Sequence, residues 1–337
     1  MTQLVVSGIR KQYRQLQARD ERFGMLKNIF SPVYRNVTAL DDVSFSIRKG
    51  ERVALLGQNG AGKSTLVKIL CGALSPTTGT VSLDGRVIDR HSYAFKKRLG
   101  IVFGQRTQLW WELPITESLL ALKTIYEVSD ENYITTLKLF EELTGMSRLL
   151  KTPAKNLSLG QRTLCEILAA CIHLPDILLL DEPTIGLDLE VKDKVRRLIN
   201  HMNRHFGITV ILTSHDTSDI EHICDRILLI NAGRLIFDNS VHRFISEHGV
   251  FYTLKVTTQH DIDCGQIGVH LVHEGIVGFA ANPENTRGCE ITFDKTKIEP
   301  MTMVKKVGSL FAIDEFHIQG ASLESAIKYA YSKHAVS

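Results

Sequence analysis

The 337-residue sequence lacks long hydrophobic runs, paired cysteines and a strong excess of charge. Its longest uninterrupted apolar stretch, residues 167–172, is far shorter than the roughly 20 residues that a membrane-spanning helix needs. The first residues show no charged segment followed by an apolar one, so we expect no signal peptide. The six cysteines are scattered without a CxxC pair, which predicts reduced thiols, no disulfide partner and no zinc site.

The net charge is only +3, which is too small to indicate a nucleic-acid partner. Basic residues are nevertheless concentrated near the start, where residues 10–35 contain seven Lys and Arg against two Asp and Glu. Within segment 11–36, Phe23, Leu26 and Phe30 fall near one helical face. A basic amphipathic segment predicts contact with a membrane surface or a membrane protein, and a helix packed on the chain's own sheet is the alternative.

Apolar strand-like segments alternate with helical ones over residues 1–240. The alternating VSFSI and the continuous VALLG, ILLLDEP and VILTSH are typical of strands, the continuous ones of buried strands. This order predicts an α/β domain with a mostly parallel sheet, interrupted by a helical subdomain at about 106–175. Residues 241–337 predict a separate α+β domain of βαββαβ-like order, with its first helix around 259–266.

The segment GQNGAGKS (57–64) fits the pattern G-x-x-x-x-G-K-[ST]. It follows an apolar strand and opens a helix, which is the context that a P-loop requires. In such a loop, backbone N–H groups surround the β-phosphate of a nucleotide, the lysine neutralises the β- and γ-phosphates, and the hydroxyl binds Mg²⁺. The predicted nucleotide-binding residues are Gly57, Gln58, Asn59, Gly60, Ala61, Gly62, Lys63, Ser64 and Thr65.

Two acidic residues end the apolar strand ILLLDEP, where a parallel sheet opens its ligand crevice. Asp181 is predicted to hold Mg²⁺ through water, and Glu182 to polarise the attacking water. A second helix start, NLSLGQ at 156–161, is also suited to binding an anion, because its backbone N–H groups are free. The sequence therefore contains two candidate phosphate sites about 95 residues apart.

These motifs in this order resemble the ATPase subunit of ABC transporters over roughly residues 1–240. The resemblance implies a P-loop NTPase fold, ATP and Mg²⁺ as cofactors, and ATP hydrolysis. It implies that Gln105, at a strand-to-helical junction, binds Mg²⁺ with Ser64 and Asp181. It also implies that His215 reaches the γ-phosphate and the catalytic carboxylate, so that the predicted catalytic residues are Lys63, Gln105, Glu182 and His215.

The resemblance also explains the second phosphate site. In the family, two ATPase domains pack head to tail, and each signature helix closes on the ATP that the other chain holds. The residues implied to act in this way, in trans, are Ser158, Gly160, Gln161 and Asp188. This chain has Leu159 where the family usually has glycine, and leucine does not adopt positive φ cheaply. We therefore expect a right-handed backbone there, with the side chain turned away from nucleotide.

An aromatic platform for adenine is expected near the first strand. Tyr13 follows that strand directly, whereas Tyr34 keeps the spacing to the P-loop and is slightly favoured. Trp110 and Trp111 fall in a region that, in the family, receives the coupling helix of a permease. Packing of at least one tryptophan in the core is the alternative.

The resemblance as a whole implies the ATP-hydrolysing subunit of a transporter that works as a dimer on a separate integral membrane permease. It implies a place at the cytoplasmic face of a bacterial inner membrane, held through that permease. The basic segment and the short tail are most similar to type-2 exporters of drugs, lipids or glycans. The alternatives are an import ATPase, a soluble ABC ATPase that acts on ribosomes or DNA, and a regulator that binds nucleotide without hydrolysis.

Overall fold

The computed structural model describes residues 2–16, 34–89, 91–104, 107–261, 275–281 and 286–334. The chain divides into two compact units, Met1–Asn239 and Ser240–Ser337. The centre of the basic segment, residues 17–33, lies outside the described ranges, as does most of the helix expected around 259–266. Within those ranges, no helix combines the length and the apolar character that crossing a bilayer requires.

A six-stranded sheet of order β10-β9-β3-β8-β7-β6 forms the centre of the first unit. The pairs β3–β8, β3–β9, β6–β7 and β7–β8 are parallel. Its strands are β3 Arg52–Leu56, β6 Leu99–Phe103, β7 Ile177–Asp181, β8 Thr209–Thr213, β9 Arg226–Asn231 and β10 Arg234–Ser240. Strands β7 and β8 are almost wholly buried, as their continuous apolar sequences predict.

A second, antiparallel sheet of order β2-β1-β4-β5 lies beside it in the same unit. Its strands are β1 Thr2–Leu16, β2 Tyr34–Arg48, β4 Thr78–Leu83 and β5 Arg86–Val87. Alternate residues of β2 are buried, and they share one apolar core with β3 and with the helix that follows β3. Because both sheets contribute to this core, the loop between β3 and that helix lies between residues of the two sheets.

Seven helices surround the sheets in the described part of the first unit. They are α1 Lys63–Leu70, α2 Tyr93–Lys96, α3 Ile115–Tyr126, α4 Asp130–Thr144, α5 Leu159–Cys171, α6 Leu189–Phe206 and α7 Thr217–Ile223. Helices α3 and α4 lie between β6 and β7 in the chain, where the helical subdomain was predicted. Helix α5 contacts α3, α4, α6 and β6, so it joins the helical subdomain to the sheet.

The second unit is an α+β domain. Its elements are α8 Val241–His248, β11 Phe251–Thr258, β12 Ile276–Ala281, β13 Gly288–Asp294, α9 Pro300–Leu310, β14 Ile313–Gln319 and α10 Leu323–His334. The strands form an antiparallel sheet of order β12-β13-β11-β14. Its core contains Leu254, Ile291 and Phe293 from the sheet, with Met303 and Val307 from α9.

Candidate functional site

The glycine-rich loop leads from β3 directly into α1. A Cβ atom at Gly57 would lie 2.5 Å from the carbonyl oxygen of Ile230. Gly62 has a φ of 108°, and a Cβ atom there would lie 2.6 Å from the carbonyl oxygen of Ala39. Neither position accepts a side chain, because the contacting atoms are backbone atoms of the two sheets. The pattern read from the sequence therefore has a steric cause in this fold.

Lys63 is the first residue of α1 and folds back over this loop. Its Nζ donates hydrogen bonds to the carbonyl oxygens of Gly57, at 2.5 Å, and Gln58, at 3.2 Å. Burial lowers the pKa of the ammonium group, and the carboxylates of Glu182 and Asp181 act in the opposite direction. The cation is thus held at the loop and faces the two acids predicted at the end of β7.

Those two acids are fixed by the neighbouring strand β8. Oδ1 of Asp181 accepts a hydrogen bond of 2.6 Å from Oγ1 of Thr213. The N–H of Glu182 donates to the carbonyl oxygen of Thr213 at 3.1 Å. Nε2 of His215 lies 3.3 Å from Oε1 of Glu182, and the N–H of His215 donates to Oε2 at 3.3 Å. The predicted base and histidine therefore contact each other directly.

These groups surround one cavity of about 330 Å³ at the carboxyl ends of the strands. The lining residues are Ala39, Gln58, Asn59, Gly60, Gly62, Lys63, Ser64, Thr65, Asp181, Glu182 and His215. All except Ala39 were predicted from the sequence. Ala39 lies on β2, and no motif marks it, because its position depends on how the two sheets pack together.

Ser64 and Asp181 provide the hard oxygen atoms that Mg²⁺ prefers. Among the described residues, no group of three or more His, Cys, Asp or Glu side chains could hold a metal alone. The residues present therefore fit a magnesium ion that the protein shares with nucleotide phosphates. Gln105, the third predicted ligand, lies outside the described residues.

The second predicted phosphate site is the start of α5. Ser158 and Gln161 form a capping box, in which Oγ of Ser158 accepts from the N–H of Gln161 and Oε1 of Gln161 accepts from the N–H of Ser158. Leu159 is helical and has no positive φ. A Cβ atom at Gly160 would lie 2.7 Å from Cγ1 of Val191, so this glycine allows α5 and α6 to pack closely.

None of these α5 residues lines the P-loop cavity. The same holds for Asp188, which caps α6 by accepting a hydrogen bond of 2.9 Å from the N–H of Val191. Gly57 and Ala61 do not line it either, and they shape the loop instead. The structure of one chain thus brings together the P-loop, Asp181, Glu182 and His215 in one cavity, and the signature residues do not line that cavity.

The two candidate adenine platforms lie on the paired strands β1 and β2, and neither lines the cavity. Tyr13 pairs with Val37, two residues from the cavity-lining Ala39. Tyr34 pairs with Leu16, farther along the hairpin, and its ring lies 4.4 Å from the guanidinium carbon of Arg14.

Both tryptophans after Gln105 are exposed, Trp110 at 45% and Trp111 at 46%. The alternative, that at least one of them packs in the core, is therefore wrong. The N–H of Trp110 donates to Oγ of Ser118, which fixes the backbone, while the guanidinium of Arg162 lies 5.3 Å from the ring centre of Trp111. The hydrogen bond of Trp110 and the contact of Arg162 with Trp111 therefore hold two large aromatic rings at the surface.

The chain matches the family model described as "ABC transporter" over residues 40–185. It is 32% identical to the ABC transporter ATP-binding protein NatA of Bacillus subtilis over 60% of this chain and 81% of that protein. It is 32% identical to the linearmycin resistance ATP-binding protein LnrL of the same species, over 60% of this chain and 65% of that protein. It is 33% identical to the methionine import ATP-binding protein MetN of Geobacillus kaustophilus, over 63% of each.

Among solved structures, the fold is similar to the dimeric, post-hydrolysis structure of the ATP-binding cassette MJ0796 bound to ADP and Pi. The TM-score is 0.56 at 26% identity, over 70% of this chain and 98% of that cassette. The region matched by the family model, 40–185, contains the P-loop, the acidic strand end and the signature helix start described above.

Proposed function

The chain belongs to the ATP-binding proteins of ABC transporters and hydrolyses ATP with Mg²⁺, and from this premise we propose that two copies form two ATP sites at their shared interface. The observation that carries the proposal is the separation within one chain between the P-loop cavity and Ser158. A twofold dimer brings the Ser158 helix start of each copy to the P-loop cavity of the other. Gly160, Gln161 and Asp188 would then act in trans with Ser158.

Each site would work through groups already fixed in the nucleotide-binding cavity. Lys63 neutralises the β- and γ-phosphates, and Glu182 accepts a proton from the attacking water. His215, in contact with Glu182, orients that carboxylate and reaches the γ-phosphate. Bound Mg²⁺ offsets the charge of the phosphates, with Ser64, Asp181 and Gln105 as its proposed protein ligands.

Mixing two inactive variants tests the shared site. Lys63→Ala damages the P-loop, and Ser158→Arg blocks the signature helix start, so each variant alone forms no intact site. A mixed dimer contains one intact site, formed by the P-loop of the Ser158→Arg chain and the signature of the Lys63→Ala chain. We expect phosphate release to recover to a fraction of the wild-type rate only on mixing. Activity of either variant alone, or none in the mixture, would contradict the proposal.

We propose Tyr13 rather than Tyr34 as the adenine platform, because its strand register brings it closer to Ala39 at the cavity. Tyr13→Ala should weaken the binding of a fluorescent ATP analogue about tenfold, which lies in the lower part of the range for one lost base–aromatic stack. Tyr34→Ala is the matched control on the same hairpin. If Tyr34→Ala lost more affinity for the ATP analogue than Tyr13→Ala, Tyr34 would be the adenine platform instead.

We further propose that the chain energises a separate integral membrane permease at the cytoplasmic face of a bacterial inner membrane. The exposed rings of Trp110 and Trp111 support this, since aromatic side chains dominate the energetics of many interfaces. Co-expression with a multi-span membrane protein from a neighbouring reading frame tests this, and we expect a complex that survives purification. Trp110→Ala with Trp111→Ala should dissociate that complex and leave ATP binding intact, whereas Trp111→Phe should retain most of it.

For the direction of transport, we propose export of a drug, lipid or glycan, on the similarity of the basic segment and short tail to type-2 exporters. The likeness to a linearmycin resistance protein supports export, and the likeness to a methionine import protein supports import as the second candidate. Deleting the gene distinguishes export from import. Loss of an exporter should make cells more sensitive to the exported compound, whereas loss of an importer should make growth depend on a larger supply of the imported nutrient.

A further inference from the structure

Strand β14 forms one edge of the sheet in the second unit. It pairs with β11 on one side, and no described strand lies beyond it. Its central residues Glu315, Phe316 and His317 are all exposed, and Phe316 is 45% exposed. An edge strand that carries a large exposed apolar side chain can pair with a further strand.

The three central residues of β14, Glu315–His317, are self-complementary in an antiparallel arrangement. With a twofold axis at Phe316, the two Phe316 rings become neighbours. Glu315 of each copy then lies opposite the partner's His317, so the same acid–imidazole pair forms twice. Side chains of opposite charge that face each other across two strands stabilise the strand pairing, whereas side chains of like charge in the same positions destabilise it.

The polar face of the sheet continues this pattern. Oε1 of Glu290 lies 2.9 Å from Nζ of Lys255, and Lys255 is the β11 partner of His317. His317 thus has a lysine on one side, and within the described residues it has no salt-bridge partner. The partner's Glu315 would add an acid on the other side, which extends the alternation of acid and base across the new strand pair.

The apolar face gives an independent reason. Phe316 pairs with Val256, which is buried in the core of the unit. The phenylalanine therefore extends that core to the edge of the sheet, where half of its surface remains in contact with water. A second Phe316 beside it would cover this surface. Edge strands that avoid pairing usually carry charged side chains or proline in such positions, not an exposed aromatic ring.

We propose that two copies of this chain pair through β14 and join their four-stranded sheets into one. This contact requires no nucleotide and is separate from the proposed ATP-dependent dimer. Because the pairing is twofold, it closes as a dimer when the ATP-dependent interface is not formed.

Sedimentation velocity of the full chain without nucleotide or Mg²⁺ tests the pairing. We expect a concentration-dependent dimer in the wild type and a dissociation constant roughly tenfold higher in His317→Glu, where two like-charged pairs replace two attractive ones. The double variant Glu315→His with His317→Glu restores opposite groups and should recover the affinity. Val277→Glu, on the exposed opposite edge strand β12, is the matched control and should not change it. A wild type that stays monomeric, or a double variant as weak as the single one, would overturn the proposal.

Cross-linking gives a second readout that does not depend on ATP sites. Phe316→Cys, in a Cys264→Ser background that also carries Lys63→Ala, should form a disulfide-linked dimer on mild oxidation. The five described native cysteines are buried, and Val277→Cys in the same background should remain uncrosslinked. If Phe316→Cys crosslinks no faster than Val277→Cys, the pairing is excluded while the proposed ATP-dependent dimer is unaffected.

Discussion

At the scale of single residues, Glu182 combines chemical function with an unusual backbone. Its φ is 53°, a left-handed conformation that costs a non-glycine residue about 1–2 kcal/mol. Hydrogen bonds from its N–H group to the carbonyl and hydroxyl oxygens of Thr213 hold this conformation. As a result, the carboxylate contacts His215. The motif identifies the acid from the sequence, but its backbone conformation depends on the neighbouring strand β8, which lies about 30 residues away in the chain.

His173 shows how burial changes the charge of a side chain. Its ring stacks on Tyr126 with centroids 3.9 Å apart, and its Nε2 lies 3.0 Å from the carbonyl oxygen of Leu99. Nδ1 is buried and has no hydrogen-bond partner within the described ranges. Burial lowers the pKa of His173 from 6.5 to about 4, and the Leu99 carbonyl acts in the opposite direction.

This pKa predicts a loss of stability in acid. Between pH 6.5 and 4 the unfolded chain binds more protons at His173 than the folded chain, so the contribution of His173 to the free energy of unfolding falls as the pH drops. From pH 7 to pH 5 we expect His173 to account for a loss of about 2 kcal/mol. His173→Gln should remove this part of the pH dependence in urea unfolding, and the exposed His242→Gln should not. Parallel pH profiles for wild type and His173→Gln would contradict the assignment.

At the scale of elements, the hairpin of β1 and β2 is longer than its sequence predicts. Apolar alternation marks only residues 4–9 and 43–47, whereas the strands are Thr2–Leu16 and Tyr34–Arg48. Much of the added part is polar, although Leu40 is buried in the core. The hydrogen bonds between the paired strands hold its outer end, where Arg14 lies over the ring of Tyr34 and Lys11 over that of Tyr13. Hydrophobic periodicity detects only the half of a strand that meets a core, so it identified the parallel strands well and this extension not at all.

Helix α5 has a start whose motif is visible in the sequence but whose role depends on its surroundings. Ser158 caps the helix, and this function alone would explain the serine. Leu159 is 43% exposed, and a Cβ atom at Gly186 would lie 3.3 Å from its Cδ2. The unusual leucine thus lies against the loop that follows Glu182.

Ser158→Asp separates capping from phosphate contact. Aspartate is as good an N-cap as serine, so the melting temperature should hardly change. A carboxylate facing the γ-phosphate of the partner chain should repel it, and we expect phosphate release to fall at least about a hundredfold. Ser129→Asp, at the cap of α4, makes the same exchange at a helix start outside the proposed site and should leave the rate unchanged. An unchanged rate in Ser158→Asp would show that the serine only caps its helix.

At the scale of the whole molecule, the P-loop cavity of one chain does not include the signature residues. The P-loop and the acids Asp181 and Glu182 meet because β3 and β7 both contact β8 and run parallel to it, so their carboxyl ends lie at one edge of the sheet. Ser158 is the N-cap of α5 and does not line the same cavity. Motif order predicts both sets of residues, whereas only the packing of the sheets and α5 shows that Ser158 lies outside the P-loop cavity.

This division predicts that hydrolysis depends on protein concentration. If each site needs two chains, the rate of phosphate release per chain at saturating ATP should fall in proportion to concentration once the dimer dissociates. Glu182→Gln should accumulate as an ATP-bound dimer, because it keeps the nucleotide contacts and loses the group that accepts the proton. In light-scattering experiments, this variant should be dimeric with ATP at concentrations at which Ser158→Arg is not. A rate per chain that stayed constant down to concentrations at which only single chains are present would show that one chain completes its own site.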